Sequence, residues 1–203
     1  MISIVNYGLG NVLAFYNIYK RLDIPVRLVS KNDEIKNSKK LILPGVGAFD
    51  WAIERLNKSG LREQIDEMVL DKKIPVLGVC VGMQIMADRS EEGKMQGLGW
   101  IPGFVKRFNI NDLKQKHPLP HMGWNQVYTN KKNLLFNFNS NPEFYFLHSY
   151  YFDLKNNDHC LGKTNYGIKF ASVINFGNIF GVQFHPEKSH NWGISLLKNF
   201  SKL

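Results

Sequence analysis

Ile74-Pro75-Val76-Leu77-Gly78-Val79-Cys80-Val81-Gly82-Met83-Gln84 is the stretch on which the fold turns. Residues 74 to 79 are a short, nearly continuous apolar run, the pattern of a strand buried on both faces. Gly78-Val79-Cys80-Val81-Gly82 then breaks the run, and a helical pattern extends from about Gly82 to Arg89. Strand, tight turn and helix with a cysteine at the apex make the cysteine version of a nucleophile elbow.

Upstream, the same alternation repeats. Ile2 to Val5 reads as a strand, and residues 11 to 22 carry Val12, Phe15, Ile18, Tyr19 and Leu22 at helical spacing. Val26 to Val29 and Leu41 to Leu43 are short strands, and helical patterns cover about 48 to 57 and 61 to 71. Strand alternating with helix implies a mostly parallel central sheet flanked by helices. Beyond residue 104 the texture changes to strand-like runs at Phe104 to Phe108, Met122 to Tyr128, Phe144 to Tyr151, Phe170 to Phe176 and Ile179 to Phe184. Trp192 to Phe200 closes the chain as a helix. The expectation is one α/β domain over residues 1–203 with an antiparallel extension in its second half.

Size and composition narrow the function. At 203 residues and 44% hydrophobic, the chain can bury a sizeable core. No basic leader with a long apolar segment stands at the start, and no window reaches the roughly 18 apolar residues of a membrane span. The expectation is a cytoplasmic protein with no membrane association. Only two cysteines occur, so a disulfide scaffold is not implied and a single cysteine in a special setting reads as reactive. The net charge of +9 raises nucleic acid as a partner, but its 20 lysines and 6 arginines are scattered, with no basic tail or arginine-rich helix. We read a lysine-rich surface and no nucleic-acid partner; the alternative is a positive face that meets an acidic partner or draws in anions.

The elbow explains its own residue types. A sharp strand-to-helix turn strains the backbone of Cys80 and leaves room only for small neighbours, which Gly78 and Gly82 supply. The sulfur then emerges at the carboxyl edge of the sheet, beside a helix N-terminus that favours thiolate. The Val81 N–H is left to bind an oxyanion. The plain alternative is that Cys80 is a small buried residue in a turn. A thiolate nucleophile needs an imidazole within hydrogen-bond reach, and the imidazole needs a third group. His117, His121, His159 and His190 stand in polar or turn contexts, and His148 lies within an aromatic strand-like run. His185 ends the apolar run 179 to 184 and precedes Pro186-Glu187, so Glu187 can curl back to its second nitrogen. A surface histidine beside a solvated glutamate is the competing reading. Pro44-Gly45-Val46-Gly47 follows a strand at the same sheet edge and can offer a second oxyanion donor, or be an ordinary turn. Tyr7-Gly8-Leu9-Gly10-Asn11 lacks the third glycine and the acidic residue of a dinucleotide site and reads as a tight turn. There is no HExxH and no CxxC, and His159-Cys160 would point opposite ways, so no metal is expected.

Together, Gly78-Val79-Cys80-Val81-Gly82-Met83-Gln84 and His185-Pro186-Glu187-Lys188-Ser189 resemble the class I (triad) glutamine amidotransferases. Tyr7 to Asn11, Pro44 to Phe49, Ser90 to Gly93, Pro120-His121-Met122-Gly123-Trp124-Asn125 and His148-Ser149-Tyr150 are similar to the glutaminase subunits of imidazole glycerol phosphate synthases within that family. The likeness runs from residue 2 to about 200. It implies a flavodoxin-like domain and a triad in which Cys80 attacks the amide of L-glutamine, His185 carries the proton and Glu187 orients His185. It implies an oxyanion hole from Val81 and the Gly45, Val46, Gly47 loop. It implies substrate binding by Gln84 and Glu92 with the backbone around His148, Ser149 and Tyr150. No cofactor is implied. The partner implied is a (β/α)₈ cyclase/synthase subunit, joined as a heterodimer and fed with ammonia, with Met122, Trp124, Tyr145 and Lys188 at its face. Asn6 stands where Asp is usual, and the elbow reads Val-Cys-Val where Ile-Cys-Leu is commoner. These departures leave open a paralogue serving a surface-sugar amidotransferase. A stand-alone cysteine hydrolase and a non-catalytic regulatory module are the readings from other classes.

Overall fold

In the computed structural model, which describes residues 1–109, 117–129, 133–138 and 140–203, the parallel core is assembled from five strands. These are β1 (Ile2–Val5), β2 (Val26–Val29), β3 (Lys40–Gly45), β4 (Val76–Cys80) and β12 (Ile179–Val182). Their order is β2-β1-β3-β4-β12, with every neighbouring pair parallel. This is the 2-1-3-4-5 order of flavodoxin-like sheets, the fifth place being taken by a strand from near the chain's end. All residues of β1, β4 and β12 are buried, the reason their sequences run apolar without alternating.

Helices cover the sheet with the faces their periodicity predicts. Helix α1 (Val12–Arg21) buries Phe15, Ile18 and Tyr19, and the Tyr19 hydroxyl donates to the Leu197 carbonyl of α6 (His190–Lys202) at 3.0 Å. Helix α3 (Phe49–Lys58) buries Phe49, Ala52, Ile53 and Leu56, the i, i+3, i+4, i+7 stripe of an amphipathic helix. A single turn, α2 (Asn32–Ile35), follows β2. The expected helix at 61 to 71 is α4 (Arg62–Asp66) running into a wider π turn over Glu67–Asp71, closed by the Lys72 N–H on the Glu67 carbonyl.

The helix expected from Gly82 to Arg89 is much shorter. It is α5 (Val81–Gln84), after which the chain turns and Arg89–Ser90 forms a small strand, β5. The cause is tertiary. The Leu98, Trp100 and Gly97 N–H groups donate to the Ile85, Met86 and Asp88 carbonyls, taking acceptors that a longer helix would use internally.

The second half adds strands on the far side of β12. β11 (Ile168–Phe176), β9 (Tyr150–Leu154) and β6 (Gly103–Arg107) continue the sheet antiparallel, with β5 parallel to β6 at the edge and β10 (Cys160–Tyr166) on β11. β7 (His121–Gln126) and β8 (Glu143–His148) form a separate antiparallel pair, in register from His121 opposite His148 to Gln126 opposite Glu143. The apolar run 144 to 151 is therefore two strands in two sheets, broken at Ser149. That corner brings His148, Ser149 and Tyr150 against the elbow. Among the described residues no helix is long and apolar enough to cross a membrane.

Candidate active site

Cys80 ends β4 with φ 54° and ψ −114°, a strained backbone outside the usual regions for an L-residue. The two glycines around it are steric necessities. A Cβ on Gly78 would sit 2.7 Å from the Gly82 carbonyl oxygen, and one on Gly82 would overlap the Leu43 carbonyl. Only the Gly-x-Cys-x-Gly spacing lets β4 turn into α5 this tightly. Val81 begins α5, so its N–H has no acceptor inside the helix. At one turn in length, however, α5 has little of the dipole expected to favour thiolate.

His185 is buried and lines the same cavity as Cys80, and its Nδ1 lies 2.8 Å from Glu187 Oε1. The turn that carries it is pinned to β8. The His185 N–H donates to the Tyr145 carbonyl at 2.8 Å, and Ser189 Oγ accepts from the Tyr145 N–H while donating to the His185 carbonyl. Phe184 stacks on Phe144 at 3.8 Å and clamps the same junction. Burial alone would push the imidazole pKa down, but the hydrogen bonds and negative charge of Cys80 and Glu187 hold it well above the ordinary range. The second oxygen of Glu187 is buried with no hydrogen-bond partner among the described residues.

A cavity of about 270 Å³ opens over the sulfur. It is lined by Val46, Gly47, Cys80, Val81, Gln84, Glu92, Pro120, Leu147, His148, Ser149, Tyr150, His185 and Lys188. Residues nominated from widely separated stretches thus meet in one place. Gln84 is buried, and its Nε2 donates to the Tyr150 carbonyl at 3.1 Å. Glu92 accepts the Phe49 N–H at the start of α3 at 2.8 Å. Burial raises the Glu92 carboxyl pKa; the Phe49 N–H opposes this and neighbouring Asp50 adds to it. The Pro44–Gly47 loop is half strand: Gly45 pairs with Cys80, and the Tyr7 hydroxyl donates to the Pro44 carbonyl at 2.6 Å. Freedom is left at Val46, which is exposed, and at Gly47, whose φ of +113° suits glycine.

His121, read from its sequence as standing in a polar or turn context, is buried in β7 between the Phe146 and Tyr166 rings. Its Nδ1 lies 2.9 Å from His148 Nε2, and His148 Nδ1 lies 2.7 Å from the Tyr150 carbonyl. Because that carbonyl can only accept, His148 carries its proton on Nδ1 and accepts from His121. Burial lowers the pKa of His148 to about 3 and that of His121 to about 4, so both are neutral buttresses of the Tyr150 corner. Of the four residues expected at a partner face, Lys188 lines the cavity. Trp124 is 47% exposed and stacks on His190 at 5.2 Å, Lys188 lies over the Tyr145 ring at 5.8 Å, and Met122 is 65% exposed. Cys160 lies apart in β10, lining a second cavity with Tyr128, Lys163 and Lys169. Among the described residues no cluster of His, Cys, Asp or Glu could hold a metal ion.

Sequence reasoning passed over Gln183, whose buried side chain reaches both Gln84 and Cys80. The signal was present: Gln183 stands two residues before His185, at the end of the apolar run Ile179 to Phe184.

The profile of the class-I glutamine amidotransferases matches residues 4–202. The chain is 52% identical over 205 residues, with both chains fully covered, to the protein named imidazole glycerol phosphate synthase subunit HisH in Bdellovibrio bacteriovorus. It is 48% identical, again over the whole of both chains, to the protein of the same name in Leptospira interrogans. Among solved structures, one described as a glutamine amidotransferase superposes with a TM-score of 0.76 at 16% identity, covering 100% of this chain and 99% of the other.

Proposed function

The chain belongs to the class-I glutamine amidotransferases, and from that premise we propose that it is the glutaminase subunit of an imidazole glycerol phosphate synthase, working in the cytoplasm in histidine biosynthesis. A single amidotransferase domain spans residues 1–203 and releases ammonia from L-glutamine for a (β/α)₈ synthase partner. The observation that carries this reading is the His185 imidazole, hydrogen-bonded to Glu187 at 2.8 Å and facing the same cavity as Cys80 at its strained elbow.

The geometry supports the following course. The Cys80 thiolate attacks the side-chain amide carbon of glutamine. Charge gathers on the amide oxygen, which the Val81 N–H and an N–H of the Gly45–Gly47 loop receive. The His185 imidazolium gives its proton to the departing nitrogen, ammonia leaves, and a thioester remains on Cys80. Neutral His185 then takes a proton from water, the hydroxide attacks the thioester, and glutamate departs with Cys80 restored as thiolate. Glu187 keeps the second proton of His185 on Nδ1 throughout and stabilises its charged form. Gln84 and Glu92 receive the substrate's ammonium, and backbone groups at Ser149 and Tyr150 its carboxylate. Met122, Trp124, Tyr145 and Lys188 form the face on which the synthase docks. Because Tyr7 pins Pro44, a peptide turn at Val46 or Gly47 is the movement by which a docked partner completes the oxyanion hole.

The test is the reconstituted pair. Cys80→Ala should lower glutamine-dependent synthesis on the order of 10⁴-fold or more, while an external ammonium salt should restore synthesis to the same complex. Retained glutamate release in Cys80→Ala would sink the glutaminase reading. Failure to bind or serve the imidazole glycerol phosphate synthase, with ammonia delivered to a sugar-amidating enzyme instead, would overturn the pathway.

A further inference from the structure

Gln183 follows β12 directly, and its side chain is wholly buried with no solvent to satisfy it. Its Nε2 points at Cys80 Sγ at 3.7 Å and its Oε1 at Gln84 Nε2 at 3.0 Å. Which amide atom faces the sulfur follows from the far end of this chain of contacts. The Tyr150 carbonyl can only accept, and it lies 3.1 Å from the Gln84 amide, so the Gln84 atom there is nitrogen. That same nitrogen lies against Gln183, which must answer with oxygen. The Gln183 nitrogen is thereby turned to the sulfur. The Tyr150 carbonyl is itself held by His148, and His148 by His121.

We propose that Gln183 is a positioning residue for the nucleophile: its amide N–H holds the Cys80 sulfur in the thiolate form and ties it to the substrate-holding Gln84. The proposal rests on the glutaminase reading and adds to it. Three features make such a donor necessary. The sulfur is buried, out of reach of most solvent donors. The one-turn helix α5 contributes little dipole. On its other side the Leu147 carbonyl, 3.9 Å away, accepts from a thiol and repels a thiolate. A hydrogen bond given to the charged form reverses that bias. A consequence concerns recognition. Both N–H groups of Gln84 are committed to Tyr150 and Gln183, so only its Oε1 remains for the substrate, and it selects a donor such as an ammonium.

The experiment measures the rate of Cys80 alkylation by iodoacetamide against pH on the full chain, read on the Cys80 peptide by mass spectrometry so that Cys160 does not contribute. Gln183→Met keeps the volume and removes the donor; Gln183→Glu keeps the shape and sets a carboxylate against the sulfur. In Gln183→Met the midpoint of the acid limb should rise by about one unit, seen as roughly tenfold slower alkylation at a fixed pH below it. Gln183→Glu should move it further in the same direction. A residue that merely fills space leaves the midpoint unmoved in Gln183→Met, and a folded variant with a superimposable profile overturns the proposal. If Gln183→Glu does not fold, Gln183→Met decides alone; if neither folds, Gln183→Asn, which shortens the arm and withdraws the amide N–H from the sulfur, is read the same way. The glutaminase reading stands or falls separately, on glutamate release by Cys80→Ala.

Discussion

Glu187→Gln separates the charge of the proposed triad's third member from its shape. In the native site Glu187 Oε1 accepts from His185 Nδ1 at 2.8 Å, while Oε2 is buried without a partner among the described residues. A glutamine amide has two ways to fit. With nitrogen toward His185 it forces the proton to the other ring nitrogen, and the wrong tautomer costs roughly 10⁴-fold in rate. With oxygen toward His185 the tautomer is kept, and the amide nitrogen takes the place of Oε2. No neighbouring group requires oxygen there, so the second orientation should win. What is lost is then the charge: a charge-assisted hydrogen bond of about 1.5–3 kcal/mol, or roughly 10- to 150-fold. The buried, unsatisfied N–H should lower stability by about 1–3 kcal/mol. Glutamate release by the chain complexed with its synthase should therefore fall about 10²-fold, and the urea midpoint should drop. The pH profile carries the sign. His185 acts as an acid while protonated, and the Cys80 and Glu187 charges raise its pKa against the effect of burial, so activity is lost only as pH climbs through that raised value. Without the carboxylate the alkaline limb should move to lower pH. Full activity would remove Glu187 from the triad, and a loss as deep as that of Cys80→Ala would refute the argument that the amide turns its oxygen to His185.

The remaining predictions rest on separate parts of the structure. Gly82→Ala would drive a Cβ into the Leu43 carbonyl, a backbone atom that cannot swing away, so a loss of about 3 kcal/mol or more is expected in denaturant unfolding; a stable variant would mean the elbow is looser than described. His121 and His148 have folded pKa values of about 4 and about 3, below the unfolded value near 6.5. Their neutral burial therefore stabilises the fold fully above about pH 6.5 and is lost as pH falls. At pH 5 the loss is roughly 2 kcal/mol for each histidine, and His121→Gln should show a shallower decline; an unchanged slope would contradict the buttress. Trp124→Ala removes an exposed indole stacked on His190 at the expected partner face. It should weaken synthase binding by about 2 kcal/mol, measured by titration calorimetry, with the free chain's unfolding midpoint unchanged.

Much of the fold was legible because strand and helix periods are local. The apolar runs at 2 to 5, 26 to 29 and 41 to 43 and the run ending at Cys80 became adjacent parallel strands, and α1 and α3 bury the faces their spacing marks. The errors fell where distant chain competes for local hydrogen bonds. The helix after the elbow stops at Gln84 because the N–H groups of residues 97 to 101 take the carbonyls of residues 85 to 88 that a longer helix would use. The run 144 to 151 divides at Ser149 because its halves pair with different sheets.

The same division holds for the site. Cys80 between two small residues, and His185 with Glu187 two places on, carry constraints in their immediate neighbours: a turn too tight for side chains, and a carboxylate within reach of a ring. Sequence alone determined these, because backbone sterics and short loops act over a few residues. The orientation of Gln183, the tautomer of His121 and the choice of which Gln84 atoms remain free come from contacts spanning 27 to 103 residues. Only the tertiary structure decided them, because an amide or an imidazole is ambiguous until a one-way acceptor, here the Tyr150 carbonyl, forces the direction of every hydrogen bond linked to it.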